Sequence, residues 1–132
     1  MMDIKRIDHL VITVKDINTT VNFYTTILNM QELTLQGKMG EVKALRFGDQ
    51  RLHVHLAGKE LEPKALKATP GSTDICLVTE TSITEVVKHL IKHNITIEKE
   101  PTVISGSLGE MESVWFRDPD GNLIEIAHYK IN

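Results

Sequence analysis

Apolar and polar positions along this chain switch between two periods, and the switch predicts its elements. Residues 7–14 alternate with a period of two and predict a strand. Leu10, Ile12 and Val14 share one face of it, and Ile7, His9, Val11 and Thr13 share the other. Asp16 can cap a helix over 17–28, where Val21, Tyr24, Ile27 and Leu28 recur at helical spacing and Asn29 supplies a stop. Short strands follow at 32–36 and 42–47, split by the turn Gly37-Lys38-Met39-Gly40. A further strand at 51–56 puts Leu52, Val54 and Leu56 on one face and Arg51, His53 and His55 on the other.

Residues 57–73 break the periodicity with Pro63, Pro70 and Gly71 and read as a linker with one helical turn at 63–66. Then the pattern restarts. The strand 74–78 sets Ile75 and Leu77 opposite Asp74, Cys76 and Val78. Ser82-Ile83-Thr84-Glu85 is a capping box, opening a helix to about residue 93 on a stripe of Ile83, Val86, Val87, Leu90 and Ile91. Short strands are predicted at 95–98 and 103–104, a glycine-containing loop at 105–111, and strands at 113–117 and 123–129. In the last, Ile124 and Ile126 face away from Leu123, Glu125 and Ala127.

The chain is thus one strand-helix-strand-strand-strand unit written twice, over 4–57 and 73–130, with residues 58–72 as the joint. One such unit leaves a sheet face bare, so the expectation is a single α+β domain over 1–132. Its two βαβββ units are expected to pair into a curved, bowl-shaped mixed sheet with the helices outside. Unpaired sheet edges on a chain of this length favour a homodimer.

The repeat also organises the chemistry. His9 opens the first strand of the first unit and Asp74 the first strand of the second; His55 and Glu125 lie in the respective last strands. All four fall on the face opposite the helix-packing stripe. A carboxylate such as Glu125, in mid-strand between apolar neighbours, is costly to bury without a partner. Two imidazoles and two carboxylates on rigid strands suit a borderline divalent cation and leave positions open for substrate. His53 faces the same side as His55 and competes with it, and Asp74 is either a direct ligand or a supporting partner. His89, His93 and His128 read as surface positions.

Three stretches carry a resemblance: Ile7-Asp8-His9-Leu10-Val11-Ile12-Thr13-Val14-Lys15-Asp16; Asn22-Phe23-Tyr24 with Leu28-Asn29-Met30; and Phe116-Arg117-Asp118-Pro119-Asp120-Gly121-Asn122-Leu123-Ile124-Glu125. Together they resemble the vicinal oxygen chelate superfamily. That superfamily holds glyoxalase I, fosfomycin-resistance thiol transferases, bleomycin-binding proteins, methylmalonyl-CoA epimerase and extradiol dioxygenases. The chain is most similar to small glyoxalase-domain proteins. The resemblance implies one divalent metal ion (Ni, Zn, Mn, Co or Fe) held by His9, His55, Asp74 and Glu125. The order His, His, Asp, Glu replaces the His, Glu, His, Glu of bacterial glyoxalase I. It implies a glyoxalase-type lyase or isomerase for a small oxygen-chelating substrate, acting through a metal-stabilised enolate with Glu125 as the proton-moving base. Arg51, Arg46 and Lys43 are candidates to hold an anionic substrate. A metal-free antibiotic-binding protein of bleomycin-resistance type and a fosfomycin-type thiol transferase are the alternatives; Val11 stands where the transferases usually have threonine.

Composition changes this picture little. A net charge of −3 gives no reason to expect nucleic acid, and no apolar run approaches a membrane span. The start has no signal-peptide pattern, and the lone Cys76 excludes an internal disulfide. A cytoplasmic protein is expected, with Cys76 as an inert core thiol.

Overall fold

The computed structural model describes residues 1–38 and 40–130. The chain divides into two compact units, one over Met1–Pro70 and one from Gly71 onward. The first contains β1 (His9–Val14), α1 (Ile17–Thr26), β2 (Gln31–Gly37), β3 (Gly40–Phe47) and β4 (Gln50–Leu56). The second contains β5 (Asp74–Val78), α2 (Ile83–Lys92), β6 (Ile97–Gly106), β7 (Gly109–Arg117) and β8 (Leu123–Tyr129). The strand orders are β1-β4-β3-β2 and β5-β8-β7-β6, so the repeat read from sequence is a repeat of topology. In each sheet the first strand runs parallel to the last and the other pairings are antiparallel. This is the glyoxalase-like α+β fold.

Alternation puts each core on one sheet face. In the first unit, α1 packs on β3 and β4, and Tyr24, Val14, Leu45, Leu52 and Val54 are almost wholly buried. In the second, α2 packs on β7 and β8, and Leu90, Val114, Phe116 and Ile124 are buried as completely. Each such side chain contributes about 1.5–3 kcal/mol relative to exposure.

The caps are those expected. The Asp16 carboxylate accepts the Thr19 N–H at 2.9 Å, and Ser82 Oγ accepts the Glu85 N–H at 3.4 Å. Asn29 at φ 54° and Asn94 at φ 60° take the left-handed turn that ends each helix, a conformation asparagine tolerates. The Thr19 hydrogen bond holds the Asp16 carboxyl below its ordinary 3.8. Its share of stability is therefore present above that range and lost as pH falls through the depressed value. Asp16→Ala is expected to lower the melting temperature at pH 7, with the gap from wild type closing in acid and Asp16→Asn retaining the cap. A gap of constant size in calorimetry at both pH values would contradict the assigned cap.

Several boundaries differ from the sequence reading. The strand at 95–98 and the one at 103–104 are parts of one ten-residue β6, and β7 begins at Gly109, inside the expected loop. β6 is an edge strand whose pairing slips between Lys99 and Thr102, which accommodates Pro101 and its missing N–H. Arg117 Nε bonds Glu98 Oε1 at 2.7 Å and fastens the polar part of β6 to β7. β1 starts at His9, and the helical turn expected at 63–66 is a bend and a turn instead. Gly37 and Gly40 are paired at the β2–β3 turn; Met39 within it lies outside the described residues.

The Asp118–Asn122 turn is a buried polar knot. Asp118 Oδ1 accepts the N–H groups of Asp120 and Asn122 at 2.9 Å each, and Asn122 Nδ2 donates to Asp118 Oδ2 at 2.7 Å. Asn122 Oδ1 accepts the Thr73 N–H at 2.8 Å, and Leu123 N–H donates to the Thr73 carbonyl at 2.9 Å, so the turn aligns the start of β5 with the start of β8. Gly71 is required here: its φ is 81°, and a Cβ would meet the Asp120 carbonyl oxygen at 2.6 Å.

Candidate active site

In the first unit the face turned away from α1 carries the imidazoles. The parallel register sets His9 beside Arg51, Val11 beside His53 and Thr13 beside His55, all on that face. The ring beside His9 is that of His53: the two stack with centroids 4.0 Å apart and planes within 8°. Asp8 Oδ1 lies 2.9 Å from His9 Nδ1. A carboxylate only accepts, so His9 carries its proton on Nδ1 and presents Nε2 as a lone-pair donor, the state that ligates metals. Arg46 pairs with Arg51 across β3 and β4 on the same face. Lys43 is not brought together with them. It pairs with Val54, on the α1 face, and bonds Glu32 Oε2 at 3.1 Å and Thr34 Oγ1 at 2.7 Å.

Burial pushes the His53 ring down to about 4; repulsion from His9, Arg51 and His55 in their protonated forms adds to this, and Asp8 opposes it. Burial also lowers His55, against the pull of Glu60. Both rings are therefore neutral at physiological pH. His53 Nε2 is buried and has no hydrogen-bond partner.

In the second unit the corresponding face carries carboxylates. Asp74 pairs with Leu123 and Cys76 with Glu125 across β5 and β8, so Asp74, Cys76 and Glu125 share one face. Glu125 Oε2 is buried without a partner. Cys76 is exposed on this face, not packed in the core as the sequence suggested. Desolvation of the sulfur and the adjacent Glu125 carboxylate push its thiol up to about 11, so it stays protonated and unreactive at neutral pH.

Two residues of these faces escaped the sequence reading. Trp115 is the register partner of Glu125 and has Lys99 Nζ 4.9 Å above its ring; Ser113 is wholly buried with its hydroxyl unpartnered. Their parity along β7 was visible, and only the pairing to β8 shows that they share the Glu125 face. The sequence reading has His53 as the competitor of His55, and its stacking on His9 depends on the β1–β4 register. His89, His93 and His128 are half-buried, not surface positions.

The match to known proteins agrees with this layout. Residues 6–126 match the family described as Glyoxalase/Bleomycin resistance protein/Dioxygenase superfamily. This chain belongs to that superfamily. Virulence protein STM3117 of Salmonella typhimurium is 46% identical over 97% of this chain and 87% of its own length. Its crystal structure has a TM-score of 0.93, covering 98% of this chain and 100% of that one. Glyoxalase domain-containing protein RDO1 of Mycosarcoma maydis is 43% identical over 98% of this chain and 71% of its own length. The V. cholerae integron cassette protein VCH_CASS1 has a TM-score of 0.93 at 43% identity, covering 98% of this chain and 99% of that one.

Members of this glyoxalase superfamily often use a divalent metal. Taken unit by unit, the side chains are of kinds such an ion takes: in the first, the His9 Nε2 lone pair set by Asp8 and the imidazoles on β4; in the second, a buried Glu125 oxygen without a hydrogen-bond partner. Among the described residues no three His, Cys, Asp or Glu side chains stand close enough to hold one together. No helix is long and apolar enough to cross a membrane.

Proposed function

We propose that this protein is a metal-dependent lyase or isomerase of glyoxalase type, acting on a small substrate with vicinal oxygens. The observation that carries the reading is the buried, unpartnered Oε2 of Glu125. The Cys76 thiol bonds this carboxylate, and its oxygen left without a partner can accept a proton from carbon. His9, His55, Asp74 and Glu125 would hold the ion, one of Ni, Zn, Mn, Co or Fe. When bound, the ion supplies positive charge that favours negative charge developing on a substrate oxygen.

The chain's own groups do the rest. Glu125 takes the proton next to the substrate carbonyl at Oε2 and returns it to the product. Asp8 and the His53 ring hold the His9 imidazole in orientation. Arg51 and Arg46 attract an anionic substrate group; Lys43 is already engaged by Glu32 and Thr34. The low thiolate content of Cys76 keeps it out of the reaction. We place the protein in the cytoplasm as a homodimer, a reading supported by the edge strands β2 and β6 and by the frequency of dimers in the superfamily.

A metal-free small-molecule-binding protein is the second reading. It is favoured by the absence, among the described residues, of three clustered metal-competent side chains. One experiment separates the two. Chelator-stripped protein is incubated in D2O with a panel of small hydroxycarbonyl compounds, with and without added metal, and proton exchange is followed by NMR. Exchange that needs metal and vanishes in Glu125→Gln supports the enzyme. Binding of a panel compound without exchange, equal in both proteins and indifferent to metal, supports the binding protein.

A further inference from the structure

The register of the second unit lines up one row of side chains across its whole sheet. Cys76 on β5 pairs with Glu125 on β8, Glu125 with Trp115 on β7, and Trp115 with Lys99 on β6. Lys99 Nζ lies 4.9 Å above the Trp115 ring, which places both on the Glu125 face. The row runs from a buried carboxylate oxygen, over an indole, to an exposed lysine. Ser113, two residues before Trp115 on the same face, is wholly buried with its hydroxyl unpartnered. A hydroxyl both donates and accepts, and burying it is costly unless a ligand meets it.

Each member of the row suits a different part of one ligand. An indole stacks on flat aromatic groups. The Lys99 ammonium rests on that ring, while the neighbouring Glu98 carboxylate is engaged by Arg117 at 2.7 Å. A cation–π contact at an exposed position is weak, and a charge-assisted bond to a carboxylate is stronger. Lys99 therefore leaves the ring for an anion that comes within reach, and the same swing uncovers an indole face. β6 and β8 are two strand spacings apart, about 10 Å. A three-carbon compound at Glu125 is too short to use Trp115 and Lys99. One aromatic ring with groups at opposite ends reaches both.

We propose that Trp115 and Lys99 set the substrate class of this site, given Glu125 as the reacting group proposed above. The substrate carries its vicinal oxygens on an aromatic ring whose far end bears an acid group. Trp115 stacks on the ring, Lys99 pairs with the acid group, and Ser113 Oγ bonds a substrate oxygen.

Trp115 is the chain's only tryptophan, so its fluorescence reports on the row directly. Three inert diols serve as probes: para-(dihydroxyethyl)benzoate, phenyl glycol without the acid group, and propylene glycol without the ring. With tag-free wild type, the benzoate is expected to quench the fluorescence saturably. It should bind about tenfold more tightly than phenyl glycol, the usual order for one bond to a charged group. Propylene glycol should leave the fluorescence unchanged. Calorimetry on variants that circular dichroism shows to be folded completes the test. Lys99→Gln should bind the benzoate no better than phenyl glycol, with Lys99→Arg restoring the difference. Trp115→Leu should weaken both aromatic probes. A benzoate preference that survives Lys99→Gln, aromatic binding that survives Trp115→Leu, or failure of both aromatic probes to quench overturns the assignment. The diols bind without turnover. The expected pattern without metal-dependent proton exchange therefore overturns the enzyme reading and keeps the row as a binding site, and exchange without the pattern does the reverse.

Discussion

Chelator-stripped protein is expected to bind one equivalent of Ni2+, Zn2+, Mn2+ or Co2+, and His9→Ala or His55→Ala to abolish that binding. His9 is set for ligation by the Asp8 carboxylate on Nδ1, and His55 is kept neutral by burial. His53 stands differently. Two rings stacked 4.0 Å apart in nearly parallel planes direct their lone pairs side by side, not toward one point. We therefore read His53 as the support of the His9 ring. His53→Ala and Asp8→Ala should weaken affinity about 10–100-fold without abolishing it, the usual cost of losing a group that orients a ligand. Glu125→Gln should weaken binding moderately and remove proton transfer. Loss of binding in His53→Ala with none in His55→Ala would exchange their roles. Binding no greater than that of the His9→Ala/His55→Ala double variant would leave the metal-free reading.

Asn122→Ala is expected to destabilise the protein by about 2–4 kcal/mol, the range for buried polar groups left without partners. Asn122 is 1% exposed, donates to Asp118 and accepts from Thr73. Removing it takes away the donor to Asp118 Oδ2 and the acceptor of the Thr73 N–H in a buried turn. The melting temperature should fall by roughly 10 °C at this chain length. Calorimetry that shows less than about 1 kcal/mol of loss would mean that the knot is held by its backbone bonds alone. Gly71→Ala should also destabilise, because its Cβ would run into the Asp120 carbonyl.

This knot explains how much of the fold was legible. The Asp118–Asn122 string is distinctive because the side chains of Asp118 and Asn122 hold the turn, and β5 and β8 were read with correct bounds. Both helices were legible from their caps. β6 was not, since Glu98-Lys99-Glu100-Pro101 has the composition of a loop and becomes strand only by pairing with β7 at an edge. The site was legible in parity and not in contact. Alternation put His9, His53, His55, Arg51 and Arg46 on one face, and the same rule, carried through β3, separates Lys43 from Arg46. It does not by itself separate His53 from His55, which differ by one full strand repeat; the sequence reading has His55 as the ligand and His53 as its competitor. That choice rests on the β1–β4 register and on ring orientation, which no local pattern encodes.

The strand order has a consequence for synthesis. Within its sheet, β1 has only β4 as neighbour, and β5 only β8. Each opening strand therefore leaves the ribosome with no partner in its own sheet. At about 5–20 residues per second, the roughly 45 residues to the closing strand occupy several seconds. Through that interval Leu10, Ile12 and Val14, or Ile75 and Leu77, are an apolar strand with both edges open. Each half of the nascent chain is most vulnerable to misassociation just before its last strand appears.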